Sequence, residues 1–306
     1  MPTCASASWP RPEAHRTGMK QLIITSDDFG LSPGVNTAVE KAWHDGILTC
    51  ASVMAGAAAF DEAVGIARRN PGLQVGLHLT LVQGSAVLPP NEIPGLVDAA
   101  GNFRDNPVAA GMRYFFDKGL HKQLQREIEA QIRRVKDAGV PLTHIDGHLN
   151  IHLHPTVFSI LGELMPRYGI TSFRLSRERL LHNLAFNRER VAGKALERII
   201  FGVLSFHARS GLKRMGIRHA GEVKGVLNSG RMSEAYLLNI LDGLGEGVTE
   251  IYFHPGILPD GEIIRRMPDY RHEDELAAIT SPRVRQKLAA LTIELTNYRG
   301  DSKQHV

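Results

Sequence analysis

A chain of 306 residues that is 43% hydrophobic and 22% charged is long enough to bury a sizeable core, which excludes a disordered polyelectrolyte. The net charge of +4 is mildly basic, yet no long block of like charge occurs and aromatics are only 6%, so a nucleic-acid partner is not expected. No run reaches the ~18–20 apolar residues of a spanning helix, and the start lacks the apolar stretch of a secretory signal. With two isolated cysteines, Cys4 and Cys50, the expectation is a reduced, cytoplasmic protein.

Residues 1–18 carry prolines, arginines and small residues and read as a disordered extension. Met19 is then the expected true start, and 19–306 a single domain. Residues 20–26 form a short apolar run with β-branched residues, the pattern of a buried strand, ending at Asp27-Asp28. Ser32-Pro33 opens a helix whose apolar positions are Val35, Ala38, Val39 and Ala42. A strand at 47–54, a helix at 58–69 and a strand at Leu73–Leu81 follow. Residues 83–105, rich in Gly, Pro and Asn, read as a long functional loop. Next come a charged helix at 121–138, a strand from Pro141 to Asp146, a helix at Pro155–Tyr168 and a short strand at Phe173–Leu175. A long basic amphipathic stretch occupies 187–214. Then come a strand at 222–227, a helix at Ser233–Leu244, a strand at Thr249–Phe253, and a closing helix from Pro282 with a short strand near Leu295. Alternating strands and helices predict an α/β fold with a mostly parallel sheet, open or closed into a barrel.

Active sites in such folds lie at the carboxyl ends of the strands. Asp27 and Asp28, His78, the run HIDGHLNIHLHP from His144 to Pro155, Arg174 and His254 all fall at or near strand ends. Two histidines and a carboxylate hold a divalent ion and leave a position for water. A second carboxylate beside them can deprotonate that water. Taken singly, each residue also reads as an N-cap or a core histidine; their collection at strand ends is what points to a metal site. Spacing alone does not choose among His144, His148, His152 and His154.

The segments TSDDFGLSPGVN, GLHLTL, THIDGHLNIHLHP and IYFHPG resemble, in order, the signature segments of the YdjC-like carbohydrate deacetylases, over about residues 20–295. The resemblance implies a distorted (β/α) barrel and removal of acetyl groups from N-acetylated amino sugars. It implies a divalent ion, Mg²⁺ or Zn²⁺, on Asp28, His78 and His148. It further implies Asp27 as general base, His254 as general acid, and Arg174 orienting Asp27 or the substrate. Asn150 stands where many relatives carry histidine, and Thr25-Ser26 replaces the family's usual Asn-Ala. GNFRDNPVAAGMRYFF, GHLNIHLHPTV and the EIYFHPG ending resemble the hopanoid-biosynthesis branch, which implies the N-acetylglucosaminyl head group of a hopanoid lipid as substrate. A glycolipid substrate, a peripheral contact at the inner membrane face and a homodimer are compatible partners. A basic amphipathic helix between Arg177 and Arg218 suits an anionic membrane, although it also suits an ordinary helix packed on the barrel. The rival readings are another metal hydrolase, such as a phosphoesterase or cyclic amidase, a deacetylase of soluble N-acetylglucosamine oligosaccharides, and a non-catalytic sugar or lipid binder.

Overall fold

The computed structural model describes residues 18–178 and 191–303, and for 191–198 only the backbone. The expected extension, apart from Gly18, and the basic side chains Arg179, Arg188, Arg190, Lys194 and Arg198 lie outside this description.

Among the described residues eight parallel strands form one sheet: β1 (Lys20–Phe29), β2 (Cys50–Val53), β3 (Gln74–Leu79), β4 (Leu142–Gly147), β5 (Ser172–Phe173), β6 (Glu222–Lys224), β7 (Gly247–Phe253) and β8 (Ile293–Leu295). Their order is β5-β4-β3-β2-β1-β7-β6, with β8 beside Lys20–Leu22 of β1. The two ends of this order approach each other. Phe173 N donates to Arg218 O at 2.9 Å and Val223 N to Arg177 O at 3.0 Å, so a few main-chain bonds replace a ladder at the seam. The result is a curled sheet, a distorted (β/α) barrel.

The helices are α1 (Pro33–Asp45), α2 (Phe60–Arg69), α3 (Pro107–Phe116), α4 (His121–Asp137), α5 (Pro155–Tyr168), α6 (Val191–Met215), α7 (Glu234–Asp242), α8 (Gly261–Arg266), α9 (His272–Thr280) and α10 (Pro282–Ala290). In α1 the Ser32 hydroxyl accepts from Val35 N, Pro33 occupies the first turn, and Val35, Ala38, Val39 and Ala42 are the buried apolar positions. Leu22, Ile24, Leu77, Leu79, Ile145, Ile251 and Phe253 of the strands join them in one core.

Three helices, α3, α8 and α9, have no counterpart in the sequence reading, although Asn106-Pro107 is a readable start signal for α3. Asn106 Oδ1 accepts from Val108 N and Ala109 N, both at 3.0 Å. The 83–105 loop is pinned by Glu127 of α4, whose carboxylate accepts from Val87 N at 2.9 Å and Leu88 N at 3.0 Å. A polar residue in the middle of an amphipathic helix thus satisfies the main chain of a surface loop.

Candidate active site

Adjacent residues of a regular strand point to opposite faces of a sheet. Asp27 and Asp28 escape this rule because β1 changes register against β2 between Ser26 and Phe29, absorbing one extra residue. Asp28 sits there at φ 59°, in the left-handed region, and Gly30 follows at φ 89°. The bulge turns both carboxylates toward one cavity of about 700 Å³.

Asp28 is surrounded by imidazoles. Its Oδ1 lies 3.3 Å from His78 Nε2 of β3 and 3.2 Å from His148 Nδ1, just beyond β4. The ligand atoms of Asp28, His78 and His148 all lie within 4.8 Å of one another. Burial opposes ionisation of Asp28, but the hydrogen bonds and charges of His148 and His78 outweigh it and hold the carboxyl well below its usual range. Its second oxygen, Oδ2, is buried without a hydrogen-bond partner. A carboxylate with one oxygen between two imidazoles and the other left without a partner is a donor set that fits a divalent cation.

Asp27 lines the same cavity but has a different partner. Arg174, directly after β5, forms a fork with it: Nη1 to Oδ2 at 2.6 Å and Nη2 to Oδ1 at 2.8 Å. The same guanidinium reaches Asp146 Oδ2 at 2.8 Å and Glu250 Oε1 at 2.9 Å, and lies over the Tyr252 ring. Asp146 in turn accepts from His78 Nδ1 at 2.9 Å and from Ser52 Oγ at 2.6 Å. It therefore fixes the ring of His78 so that Nε2 points at Asp28. Three carboxylates, Asp27, Asp146 and Glu250, thus converge on one guanidinium, with Asp28 beside them on the two imidazoles. Burial disfavours the imidazolium of His78, yet Asp146 and Asp27 raise it to about 10. Carboxylates outnumber the one guanidinium here, a balance that favours a further cation.

His254, at the end of β7, lines the same cavity. Glu275 of α9 accepts from the His254 backbone N at 2.5 Å, while His254 Nδ1 makes no hydrogen bond and lies 3.9 Å from Glu275 Oε2. Burial holds the His254 ring below its ordinary value. The Tyr270 ring packs edge-on at 5.1 Å, and the Tyr270 hydroxyl meets Ser229 Oγ at 3.1 Å.

The remaining residues of the histidine run separate by environment. His144 is buried inside β4, between Ser52 Oγ and Thr143 Oγ1, with Tyr298 stacked on it. Its ring fits only because residue 76 is glycine; a Cβ there would lie 2.4 Å from His144 Nε2. His152 bonds the Arg174 carbonyl at 3.0 Å and His154 the Gly111 carbonyl at 3.0 Å. Asn150 does line the cavity; its φ of 57°, which asparagine tolerates, follows a φ of 51° at Leu149, and its Oδ1 accepts from Ser176 Oγ.

Burial pushes the rings of His144 and His152 down to about 3. Their folded-state values lie below the unfolded ~6.5, so their contribution to stability is complete above that pH and is lost as pH falls toward about 3. Denaturation measured between pH 7 and pH 4 is expected to show steeply falling stability, with two extra protons taken up on unfolding from this pair. His152→Phe should remove one of those protons from the slope; an unchanged slope would contradict the assignment.

Sequence pattern alone assigns no role to Asp146 or Glu250 and carries no signal for Tyr252, Tyr270 or Glu275. Asp146 carried a readable sign, its position at the end of β4. Glu250 and Glu275 lie among apolar residues where only a fold reveals their partners.

A match to the YdjC-like protein family spans residues 21–290. A carbohydrate deacetylase of Brevibacillus brevis is 37% identical over 153 residues, 49% of this chain and 57% of that protein, so the aligned stretch takes in little more than half of that relative. A carbohydrate deacetylase of Thermoanaerobacter pseudethanolicus is 28% identical over 280 residues, covering 92% of this chain and 98% of that one. Among solved structures, a protein of Enterococcus faecalis V583, named for a suggested role in cellobiose-phosphate cleavage, superposes with a TM-score of 0.72 at 26% identity. That superposition covers 93% of this chain and all of the other. Its full-length overlap, together with the family match across both aspartates, His78, His148, Arg174 and His254, identifies the chain as a member of the YdjC-like family.

Proposed function

We propose that this chain is a metal-dependent N-deacetylase that hydrolyses the acetamide of an N-acetylated amino sugar. The observation that carries the reading is the pairing of two buried carboxylates with separate partners: Asp28 with two imidazoles, Asp27 with one guanidinium. A binder needs the first arrangement only; a hydrolase needs the second beside it.

Asp28, His78 and His148 would hold the cation. When bound, Mg²⁺ or Zn²⁺ polarises a carbonyl and lowers the pKa of water. Asp27, its direction fixed by the Arg174 fork, takes a proton from the water that attacks the acetamide carbon. Asp146 keeps the His78 ring in one orientation throughout. As the C–N bond breaks, His254 delivers a proton to the departing amine nitrogen. The products are acetate and a free amino sugar. Burial holds the His254 ring below its ordinary value, so the proton it delivers to the amine is balanced by the one that Asp27 takes from the attacking water.

The finer reading is a glycolipid substrate, the N-acetylglucosaminyl head group of a hopanoid lipid. Its support is the apolar part of the cavity lining: Val108, Ile200, Phe201, Leu204, Val226 and Leu227. A soluble oligosaccharide has less use for such a wall.

Acetate release from N-acetylglucosaminyl substrates tests the reaction. Chelation is expected to abolish it, and divalent metal to restore it. His148→Ala should lose bound metal and turnover together. Full turnover after exhaustive chelation, or in His148→Ala, would reject the metal-dependent mechanism.

A further inference from the structure

Helices of globular proteins usually turn their apolar stripe inward. Two helices at the mouth of the cavity turn one outward. In α3 the residues Ala110 and Tyr114 are buried, whereas Val108, Met112, Phe115 and Phe116 share the opposite face at i, i+4, i+7 and i+8; Val108 is 73% exposed and Phe116 67%. In α6 the packed side is Ser205, Ala208 and Leu212, whereas Ile199, Val203 and Phe206 face outward, with Phe206 83% exposed. Both helices pack on α5, and both line the cavity, through Val108 and Gly111 of α3 and Ile200, Phe201 and Leu204 of α6. Exposed apolar side chains gathered on two helices that line one cavity mark an interaction surface.

Charge narrows the partner. From Pro107 to Phe116 and from Ile199 to Met215 the charged residues are Arg113, Arg209, Lys213 and Arg214, and neither stretch contains Asp or Glu. Lys213 and Arg214, both exposed, follow the outward stripe of α6 by about two turns. A two-fold pairing of this face with itself would set like charges against one another. Anionic lipid headgroups complement them, with the apolar side chains entering the acyl boundary.

We infer that the α3–α6 rim docks on the surface of an anionic bilayer, so that an amphiphilic substrate enters the cavity head-first from the membrane. The inference rests on the deacetylase reading only for the nature of that substrate. Docking is measured without turnover, so protein that binds vesicles yet releases no acetate would count against the deacetylase reading alone.

The test is flotation of the full chain with vesicles of phosphatidylglycerol and phosphatidylcholine in equal parts. The wild-type protein is expected to float with them, and to float less in high salt or with phosphatidylcholine alone. Phe116→Ser/Phe206→Ser, which should melt at the wild-type temperature because both residues are exposed, is expected to bind about tenfold more weakly. Lys213→Glu/Arg214→Glu should lose the preference for anionic vesicles. The inference is overturned if wild-type protein floats with neither vesicle, or if the double serine variant floats as well as wild type. It is equally overturned if light scattering finds a dimer that this variant dissolves, which would assign the rim to a second copy of the chain.

Discussion

Replacing Asp27 by asparagine is expected to lower turnover by about 10²–10⁴-fold while leaving metal content unchanged. Asparagine keeps the size and one acceptor of the side chain but cannot take a proton from water. The metal-binding candidates are untouched, because Asp27 contacts Arg174 whereas Asp28 contacts the two histidines. Arg174 retains Asp146 and Glu250 as partners, so the variant should fold. Steady-state acetate release beside metal analysis separates the outcomes. Loss of both metal and activity would make Asp27 a ligand; retention of activity would remove it from the mechanism.

Replacing Arg174 by methionine is expected to be more damaging, costing about 3–5 kcal/mol of stability by leaving buried carboxylates without their partner. Arg174 is 1% exposed and faces Asp27, Asp146 and Glu250 at once. A loss of that size is a large share of the ~5–15 kcal/mol that holds a typical domain together. Arg174→Lys keeps the charge but offers no planar fork, so it should fold better than the methionine variant and still lower turnover by misdirecting Asp27. Urea denaturation reads the first effect and acetate release the second. A methionine variant as stable as wild type would show that the cluster does not depend on this cation.

The candidate site is more legible in the sequence than the scaffold that orients it. Asp27, Asp28, His78 and His148 announce themselves because polar residues at the ends of apolar strands are conspicuous. The α1 face was readable for a related reason: Val35, Ala38, Val39 and Ala42 keep helical period, and Ser32-Pro33 gives a capping signal. The β1 bulge was not readable, because a register shift depends on what the neighbouring strand pairs with. Glu250 looked like a strand residue, and only the fold brings it to Arg174, 76 positions away in the chain. The histidine run illustrates both sides. Composition flagged it, but the division between His148 at the cavity and His144 and His152 in buried hydrogen-bonded positions is set by tertiary contacts. α3 escaped notice because its large apolar residues face outward, opposite to the usual rule.

Anomalous diffraction from crystals soaked in Zn²⁺ addresses the heart of the account, the sharing of one ion by residues far apart in the chain. The account predicts a single strong peak bounded by the carboxylate of Asp28 and the rings of His78 and His148, with Asp27 still clasped by Arg174. A peak on Asp27 and Asp146 instead, or an empty site at saturating zinc, would contradict it.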